Sequence, residues 1–386
     1  NQYPFLHYPM EEMMDKMKPM YEEAVAKAKA ESTDEIKKGV GIAWGGFNVT
    51  EGGGDSAEVA LELMPGNKIR KYDTWHAMGQ GATTGSLVVT LEALKEMHLT
   101  PEDIQLIQND TKTCPDTGMA GASRSLYMDG NATIIAANKL LAAMRKEDGT
   151  LRTYDEMKAE GIETKYLGRY ETNTTPGLCR LDPNTGIGDP TPAFTYCLNL
   201  AEVEVDTKTG KTTVLKFTCV DFVGRIGNID AVNGQAYSGI MHGIGFALKE
   251  DYADVKKHAN MFGAGTSYIK DVPDDINLIH IDGAISDGPF GSSGASEAFQ
   301  ASGHCAVLNG IYNACGVRIH EIPALPEKVK AGLDAIAKGE KPYEPKKYFL
   351  GSDMYEELEN IKENPVQVGT QSFYVSLDDP TAERPF

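Results

Sequence analysis

One carboxylate in this sequence follows a loop whose composition suits a bound anion. Residues 287–297 read DGPFGSSGASE, with three glycines and three serines ahead of Glu297. Glycine lets the backbone approach a ligand closely, and hydroxyl and N–H groups ahead of a helix favour anions. Because desolvation raises the pKa of a carboxyl group towards the range that a general base needs, such a glutamate can act as a base. A plain turn with a helix-capping glutamate fits the same residues, so both interpretations stay open here.

Three further glycine-rich loops precede predicted helices, at 79–85, 118–125 and 224–235. With 288–297 they predict a large polar ligand that is held by backbone N–H groups and helix N-termini. Arg124 stands where the second loop meets its helix, and there it could bind a phosphate through two parallel hydrogen bonds. The alternative is four ordinary turns in a protein that is rich in glycine.

Helices and strands must position these loops. The predicted helices cover 10–32, where Pro19 separates two helices, then 86–97, the segment from 125 through 146, 233–248, 298–315 and the segment opened by Pro326. The predicted strands cover 39–49, 56–64, 68–75, 104–110, 193–206, 211–221 and a short stretch after Arg318. Turns at 65–67 and 207–210 predict hairpins.

Composition and charge narrow the class of protein. The 386 residues carry a formal net charge of −19, which argues against a nucleic-acid backbone and an anionic membrane surface as partners. Long apolar runs and a signal-peptide pattern are both missing from the sequence, so we expect a cytoplasmic protein. The six cysteines never form C-x-x-C, which argues against a structural zinc or iron–sulfur site in this chain and predicts reduced thiols.

Several motifs occur together in a fixed order. They read MGQG at 78–81, AGASRS at 120–125, GRIGNIDAVNGQ at 224–235, YSGIMHGIGFAL at 237–248, DGPFGSSGASE at 287–297 and RIHEIPALPEKV at 318–329. The chain thereby resembles the molybdenum hydroxylases of the xanthine oxidase family, in the second molybdopterin-binding half of their large subunit. The stretches YDEMKA, KEDYADVKKHA and GAGTSYIKDVPD are similar to the aldehyde oxidoreductases of sulfate-reducing bacteria. The resemblance covers about residues 1–335.

The resemblance implies a fold and a division of the chain. The expected fold class is α+β, a molybdopterin-binding domain of the aldehyde oxidase/xanthine dehydrogenase type with two subdomains of β-sheet plus helices. The expected parts are a helical lead-in at 1–35, a subdomain at 36–150, a connecting arm at 151–190, a subdomain with the catalytic glutamate at 191–335 and a C-terminal tail at 336–386.

The resemblance also implies a cofactor, molybdopterin cytosine dinucleotide, whose pterin dithiolene holds molybdenum without a metal ligand from the protein. Glu297 matches the catalytic glutamate of the family, and Gln80 would donate to an oxo group of the metal. The implied cofactor-binding residues are Met78, Gly79, Gln80, Gly81, Ala120, Gly121, Ala122, Ser123, Arg124, Ser125, Gly227, Asn228, Ala231, Val232, Gln235, Ser293, Gly294, Ala295 and Ser296.

The resemblance further implies that this chain is one part of a larger enzyme. The expected partners are the first molybdopterin-binding half and domains or subunits with [2Fe–2S] clusters that carry electrons away; a flavin subunit is a further candidate. The implied reaction converts an aldehyde and water into a carboxylic acid. The alternatives are hydroxylation of an aromatic N-heterocycle, of the purine or nicotinate type, and a catalytically silent cofactor-binding subunit.

Overall fold

The computed structural model describes residues 8–340 apart from 51–53, 173–190, 255 and 286, together with residue 363. By compactness the chain divides into Asn1–Pro342 and Tyr343–Phe386. The predicted tail lies outside the described residues from 341 onwards, except for residue 363. In the described part, no helix combines the length and the apolar character that crossing a lipid bilayer requires.

The described part of the chain is built from helices and two four-stranded sheets, so the predicted α+β class is confirmed. The strands are β1 (Ile36–Val49), β2 (Ser56–Met64), β3 (Lys68–Asp73), β4 (Ile104–Gln108), β5 (Lys165–Glu171), β6 (Ala193–Asp206), β7 (Thr212–Phe222) and β8 (Asp275–His280). The α-helices are α1 (Met10–Glu31), α2 (Ala82–Ala93), α3 (Ser125–Met144), α4 (Tyr154–Ala159), α5 (Ile229–Leu248), α6 (Met261–Ala264), α7 (Ser296–Gln300), α8 (Gly303–Cys315) and α9 (Pro326–Ala337).

Sheet A has the strand order β1-β6-β7-β8. The first two pairings are antiparallel, and β7 pairs with β8 in parallel. Helix α1 covers one face, with Met13 packed in the same cluster as Leu198. Helices α5, α7 and α8 cover the other face, where Ile240 and Phe299 pack with Phe217. Because both faces are covered, β6 is apolar and buried along most of its length.

Sheet B has the order β4-β3-β2-β5, and only its β3–β4 pairing is parallel. Helices α2 and α3 pack on it through a cluster that includes Leu61, Ile69 and Leu140. A second cluster contains Val59 of β2 together with Phe222 of β7. The apolar core therefore runs from one sheet into the other.

The two sheets do not follow the order of the chain. β1 lies within the predicted subdomain 36–150, yet it pairs along its whole length with β6. β5 lies within the predicted arm 151–190, yet it is an edge strand of sheet B. The strands thus pair across the predicted divisions, which themselves stay a prediction.

Three local predictions are corrected. The predicted break at Pro19 is wrong, because α1 continues through it and buries Met13, Met17 and Ala24 on one face; this packing offsets the hydrogen bond that proline cannot donate. The predicted helix 298–315 is two helices, α7 and α8, which are separated at 301–302. The stretch after Arg318 forms no strand within 319–325.

The expected reduced thiols stay a prediction, and the structure describes five of the six cysteines. Cys114, Cys197, Cys219, Cys305 and Cys315 are free. Cys179 lies outside the described residues.

Candidate active site

The four glycine-rich loops meet at one cavity of about 690 Å³. Sheet B contributes the loops that lead into α2 and α3, and sheet A contributes the segments that lead into α5 and α7. The predicted residues that line the cavity are Met78, Gln80, Gly81, Ala120, Gly121, Ser123, Ser125, Gly227, Asn228, Ala231, Val232, Gln235, Ser293, Gly294, Ala295, Ser296 and Glu297. The predicted residues Gly79, Ala122 and Arg124 are not part of the lining.

Backbone hydrogen bonds hold the two loops of sheet A together. The N–H group of Arg225 donates to the carbonyl oxygen of Gly291 across 2.9 Å, and Gly224 forms a β-bridge with Ser292. The N–H group of Ile285 donates to the same Gly291 carbonyl, also across 2.9 Å. These two loops therefore form one continuous wall of the cavity.

The loop before α3 has an unusual backbone. Ala122 and Ser123 have φ angles of 51° and 49°, in the left-handed region that side chains other than glycine disfavour. The N–H group of Thr50 donates to the Ala122 carbonyl across 3.0 Å and helps to fix this conformation. The Ser123 carbonyl lies so close to Gly294 that a Cβ atom there would collide with it. Residue 294 must therefore be glycine for the second and fourth loops to meet.

Glu297 lies in the first turn of α7 and lines the cavity. The hydroxyl of Ser123 donates to its Oε2 atom across 2.5 Å. The side chain is partly buried, which leaves the carboxylate accessible from the cavity. The arrangement orients a carboxylate from one loop with a hydroxyl from another, so that its second oxygen is available to accept a proton.

The predicted phosphate contact of Arg124 is wrong. Its side chain is 4% exposed, and its guanidinium forms two parallel hydrogen bonds with Asp55, of 2.7 and 2.8 Å. The remaining N–H groups donate to the carbonyl oxygens of Ser56, Thr117 and Met119. All five donors are thereby used within the protein. Arg124 fixes the loop from behind, and the phosphate-binding role cannot belong to its side chain.

The Gln80 side chain closes its own loop. Its Nε2 donates to the His76 carbonyl across 2.7 Å, while its Oε1 accepts from the N–H group of Met78 across 2.6 Å. One N–H of the amide is left to point elsewhere. The predicted donation from Gln80 to the metal's oxo group uses that N–H and stays a prediction.

A buried ionic cluster supports the sheet B side of the cavity. Lys71 Nζ lies 2.7 Å from Asp129 Oδ1 and 3.3 Å from Asp73 Oδ2, and all three side chains are inaccessible to solvent. Asp73 also accepts hydrogen bonds from Ser86 of α2 and Gln108 of β4. Burial raises the pKa of Asp129 to about 6. The cluster ties β3 to both helices whose N-termini face the cavity.

The cavity wall fits a group that carries phosphates. The Ser293 hydroxyl lies in the wall, is buried, and has no hydrogen-bond partner among the described residues. Among the described side chains, none caps the first turn of α2 or of α3, and neither first turn contains an acidic residue. Helix N-termini in this state attract anions. Backbone amides, the free hydroxyl and the Arg225 side chain, which also lines the cavity, are therefore groups that could bind phosphate.

Several lining residues were not predicted from the sequence. Most of them are apolar: Trp75, Ala82, Gly85, Val88, Val89, Leu126, Val223, Ile226 and Phe290. The apolar residues of α2 were visible in the sequence as part of a helix. The missing information was the direction in which that helix faces, which depends on its packing against α3 and sheet B.

Comparisons with known proteins agree with this geometry. Residues 16–273 match the model of a family described as "Molybdopterin cofactor-binding domain". The chain is 40% identical to the aldehyde oxidoreductase of Megalodesulfovibrio gigas, over 85% of this chain and 36% of that protein. It is 28% identical to a probable hypoxanthine oxidase of Escherichia coli, over 68% of this chain and 29% of that protein.

A comparison with solved structures also finds similarity to an aldehyde oxidoreductase. The crystal structure of the aldehyde oxidoreductase from Desulfovibrio desulfuricans matches with a TM-score of 0.81 and 44% identity, over 83% of this chain and 35% of that one. The chain thus spans about a third of the length of these relatives. The predicted fold type and the resemblance are confirmed, and the chain belongs to the family of molybdopterin cofactor-binding domains.

Proposed function

We propose that this chain is the molybdopterin-binding catalytic part of a molybdenum hydroxylase that oxidises aldehydes. The reaction converts an aldehyde and water into a carboxylic acid, two protons and two electrons. Two relatives named aldehyde oxidoreductase, at 40% and 44% identity, support this choice of substrate class. The observation that carries the proposal is Glu297, which faces the cavity and is oriented by the Ser123 hydroxyl.

Glu297 acts as the general base of the reaction. Ser123 holds Oε2, so Oε1 is the atom that accepts a proton from the attacking water. Apolar residues such as Trp75, Val88 and Phe290 line the same cavity and give part of its wall an apolar surface. When bound, the molybdenum cofactor supplies water activation and the two-electron redox chemistry.

The loops of both sheets hold the cofactor, which we propose is the cytosine dinucleotide form. The free Ser293 hydroxyl and the uncapped N-termini of α2 and α3 support a ligand with phosphates. Electrons leave through [2Fe–2S] clusters on other domains or subunits, and the first molybdopterin-binding half completes the site. The share of each relative that this chain matches supports such partners.

The test replaces Glu297 with glutamine in the enzyme that contains this chain, produced in its native host. We expect Glu297→Gln to lower turnover of an aldehyde such as benzaldehyde by about 10² to 10⁴-fold. Molybdenum content, measured by mass spectrometry, should be unchanged, and so should the amount of CMP released by acid hydrolysis. Glu327→Gln is the matched control, since Glu327 also stands in a first helical turn but is exposed and lies outside the cavity lining.

The outcomes separate the candidate functions. Unchanged turnover in a molybdenum-loaded Glu297→Gln enzyme would contradict the role of Glu297 as the general base and would favour a catalytically silent cofactor-binding subunit. If the unmodified enzyme oxidises hypoxanthine but not aldehydes, the N-heterocycle reaction replaces the proposed one, in line with the relative from Escherichia coli.

A further inference from the structure

One histidine bridges the two ends of a cavity wall segment. Residues 223–232 supply much of the sheet A side of the cavity. Asp221 on β7 comes just before this segment, and Asn233 on α5 comes just after it. His280, the last residue of β8, places its Nδ1 atom 2.8 Å from Asp221 Oδ2 and its Nε2 atom 2.9 Å from Asn233 Oδ1.

The bridge carries a buried charge. The Asp221 side chain is inaccessible to solvent, and that of His280 is 18% exposed. Both ring nitrogens face oxygen acceptors, an arrangement that favours an imidazole with a proton on each nitrogen and a positive charge. The hydrogen bond with Asp221 raises the pKa of His280, in keeping with that state. The second oxygen of Asp221, Oδ1, is buried and has no partner among the described residues, so His280 is the counter-charge that this carboxylate has there.

His280 also directly precedes the loop that packs against this segment. β8 ends at His280 and leads into residues 281–291, whose Gly291 accepts a hydrogen bond from Arg225. Gly224 has a φ angle of 80°, and neither Gly224 nor Gly227 has a side chain to restrict its backbone. Fixed ends therefore add to the backbone contacts that hold the segment 223–232 against the neighbouring loop.

We propose that Asp221, His280 and Asn233 form a clamp that positions the wall segment 223–232 for the bound cofactor. None of the three lines the cavity, so each acts through the segment and is a positioning residue. The inference rests on the proposed function, because the proposed function is what assigns the molybdenum cofactor to this wall of the cavity. A side chain that served only to stabilise the fold would not give the pattern of cofactor retention described next.

The test measures how fast the purified enzyme loses molybdenum and CMP-containing cofactor during dialysis. We expect His280→Leu to lose both on the order of tenfold faster than the parent enzyme, because one positioning contact is removed at each end of the segment. Asn233→Leu should behave similarly, whereas Asn233→Asp keeps an oxygen acceptor and should retain the cofactor as the parent does. The double variant His280→Leu/Asn233→Leu should be no faster than His280→Leu, since the two residues act as one unit.

The control is His98→Asn, because His98 is exposed, outside the cavity, and has a φ angle of 52° that asparagine tolerates.

Folded His280→Leu protein with parental retention, or equally fast loss from both Asn233 variants, would overturn the clamp. If His280→Leu does not fold, the two Asn233 variants decide, since Asn233 is only partly buried. A parent enzyme without molybdenum would overturn the proposed function, whereas a loaded parent with unaffected variants would overturn the clamp alone.

Discussion

Ser123 donates a hydrogen bond to Glu297 across 2.5 Å, although the two residues are 174 positions apart in the chain. Ser123 belongs to the loop that leads from sheet B into α3, and Glu297 lies in the first turn of α7, which packs on sheet A. The candidate base is therefore oriented from the opposite side of the cavity. Its position depends on the packing of the two sheets as much as on its own helix.

The first prediction concerns this hydroxyl. Ser123→Ala should lower turnover roughly tenfold to hundredfold with the molybdenum content unchanged, because a carboxylate that is free to rotate is less often in its productive orientation. Ser123→Gly removes the same hydroxyl but accepts the φ angle of 49° without strain. Equal losses in both variants, measured by steady-state kinetics, would assign the effect to the hydroxyl. Full activity in either would contradict it.

The second prediction concerns the contact between α5 and α7. A Cβ atom added at Gly239 would lie 2.5 Å from Phe299 Cβ and 2.7 Å from its backbone carbon, so α7 must shift to accept it. Gly239→Ala should therefore displace Glu297, lower turnover at least tenfold and reduce the free energy of unfolding by about 1–3 kcal/mol.

Gly234→Ala is the matched control for that change. Gly234 lies on the same helix, and a Cβ atom there would have no neighbour within 4 Å. The control should keep its turnover and gain about 0.5–1 kcal/mol of helix stability. Equal turnover in the two variants would show that the α5–α7 contact does not position the carboxylate. Both can be followed by thermal unfolding and steady-state kinetics.

The third prediction concerns pH and stability. Burial raises the pKa of Asp129 to about 6 in the folded protein, whereas an unfolded aspartate titrates near 4. The folded state therefore holds this proton more tightly than the unfolded state does. The contribution of Asp129 to the free energy of unfolding is complete below pH 4 and is lost as the pH rises through about 6. The loss from this group amounts to roughly 3 kcal/mol.

Asp129→Asn removes this titration and keeps an oxygen acceptor for Lys71. The variant should lose less of its free energy of unfolding than the parent between pH 4 and pH 7, as measured by urea unfolding followed by circular dichroism. Thr133→Val is a useful comparison, because Thr133 also contacts Asp129 but does not titrate. The same pH slope in parent and Asp129→Asn protein would contradict the assigned titration.

Much of the site was readable because its residues are neighbours in the sequence. A glycine-rich loop and the helix that follows it occupy one short stretch, so the four loops could be recognised and Glu297 singled out. The structure brings these loops to one cavity. The ligand that they bind remains a prediction that the Glu297 and His280 experiments test.

The errors have the opposite origin. The position of Arg124 between a loop and a helix predicts a phosphate contact. Its actual partner, Asp55, stands 69 residues earlier, and no local sequence pattern connects the two residues. Proline alone predicts a break at position 19, whereas Met13 and Met17 are buried in a cluster with residues of β1, β6 and β7, a packing that the local pattern does not show. In both cases a long-range contact decided against a local preference.

The pairing of β1 with β6 has a consequence for how the protein is made. All of sheet B, from Ser56 to Glu171, is encoded between these two strands. A ribosome therefore finishes the last strand of sheet B before the partner of β1 has been translated. Until then β1, fourteen residues long, lacks β6, the strand that pairs with it in the described part of the chain, and an unpaired strand edge invites contact with other chains. The nascent chain therefore carries β1 without β6 while the last strand of sheet B is being completed.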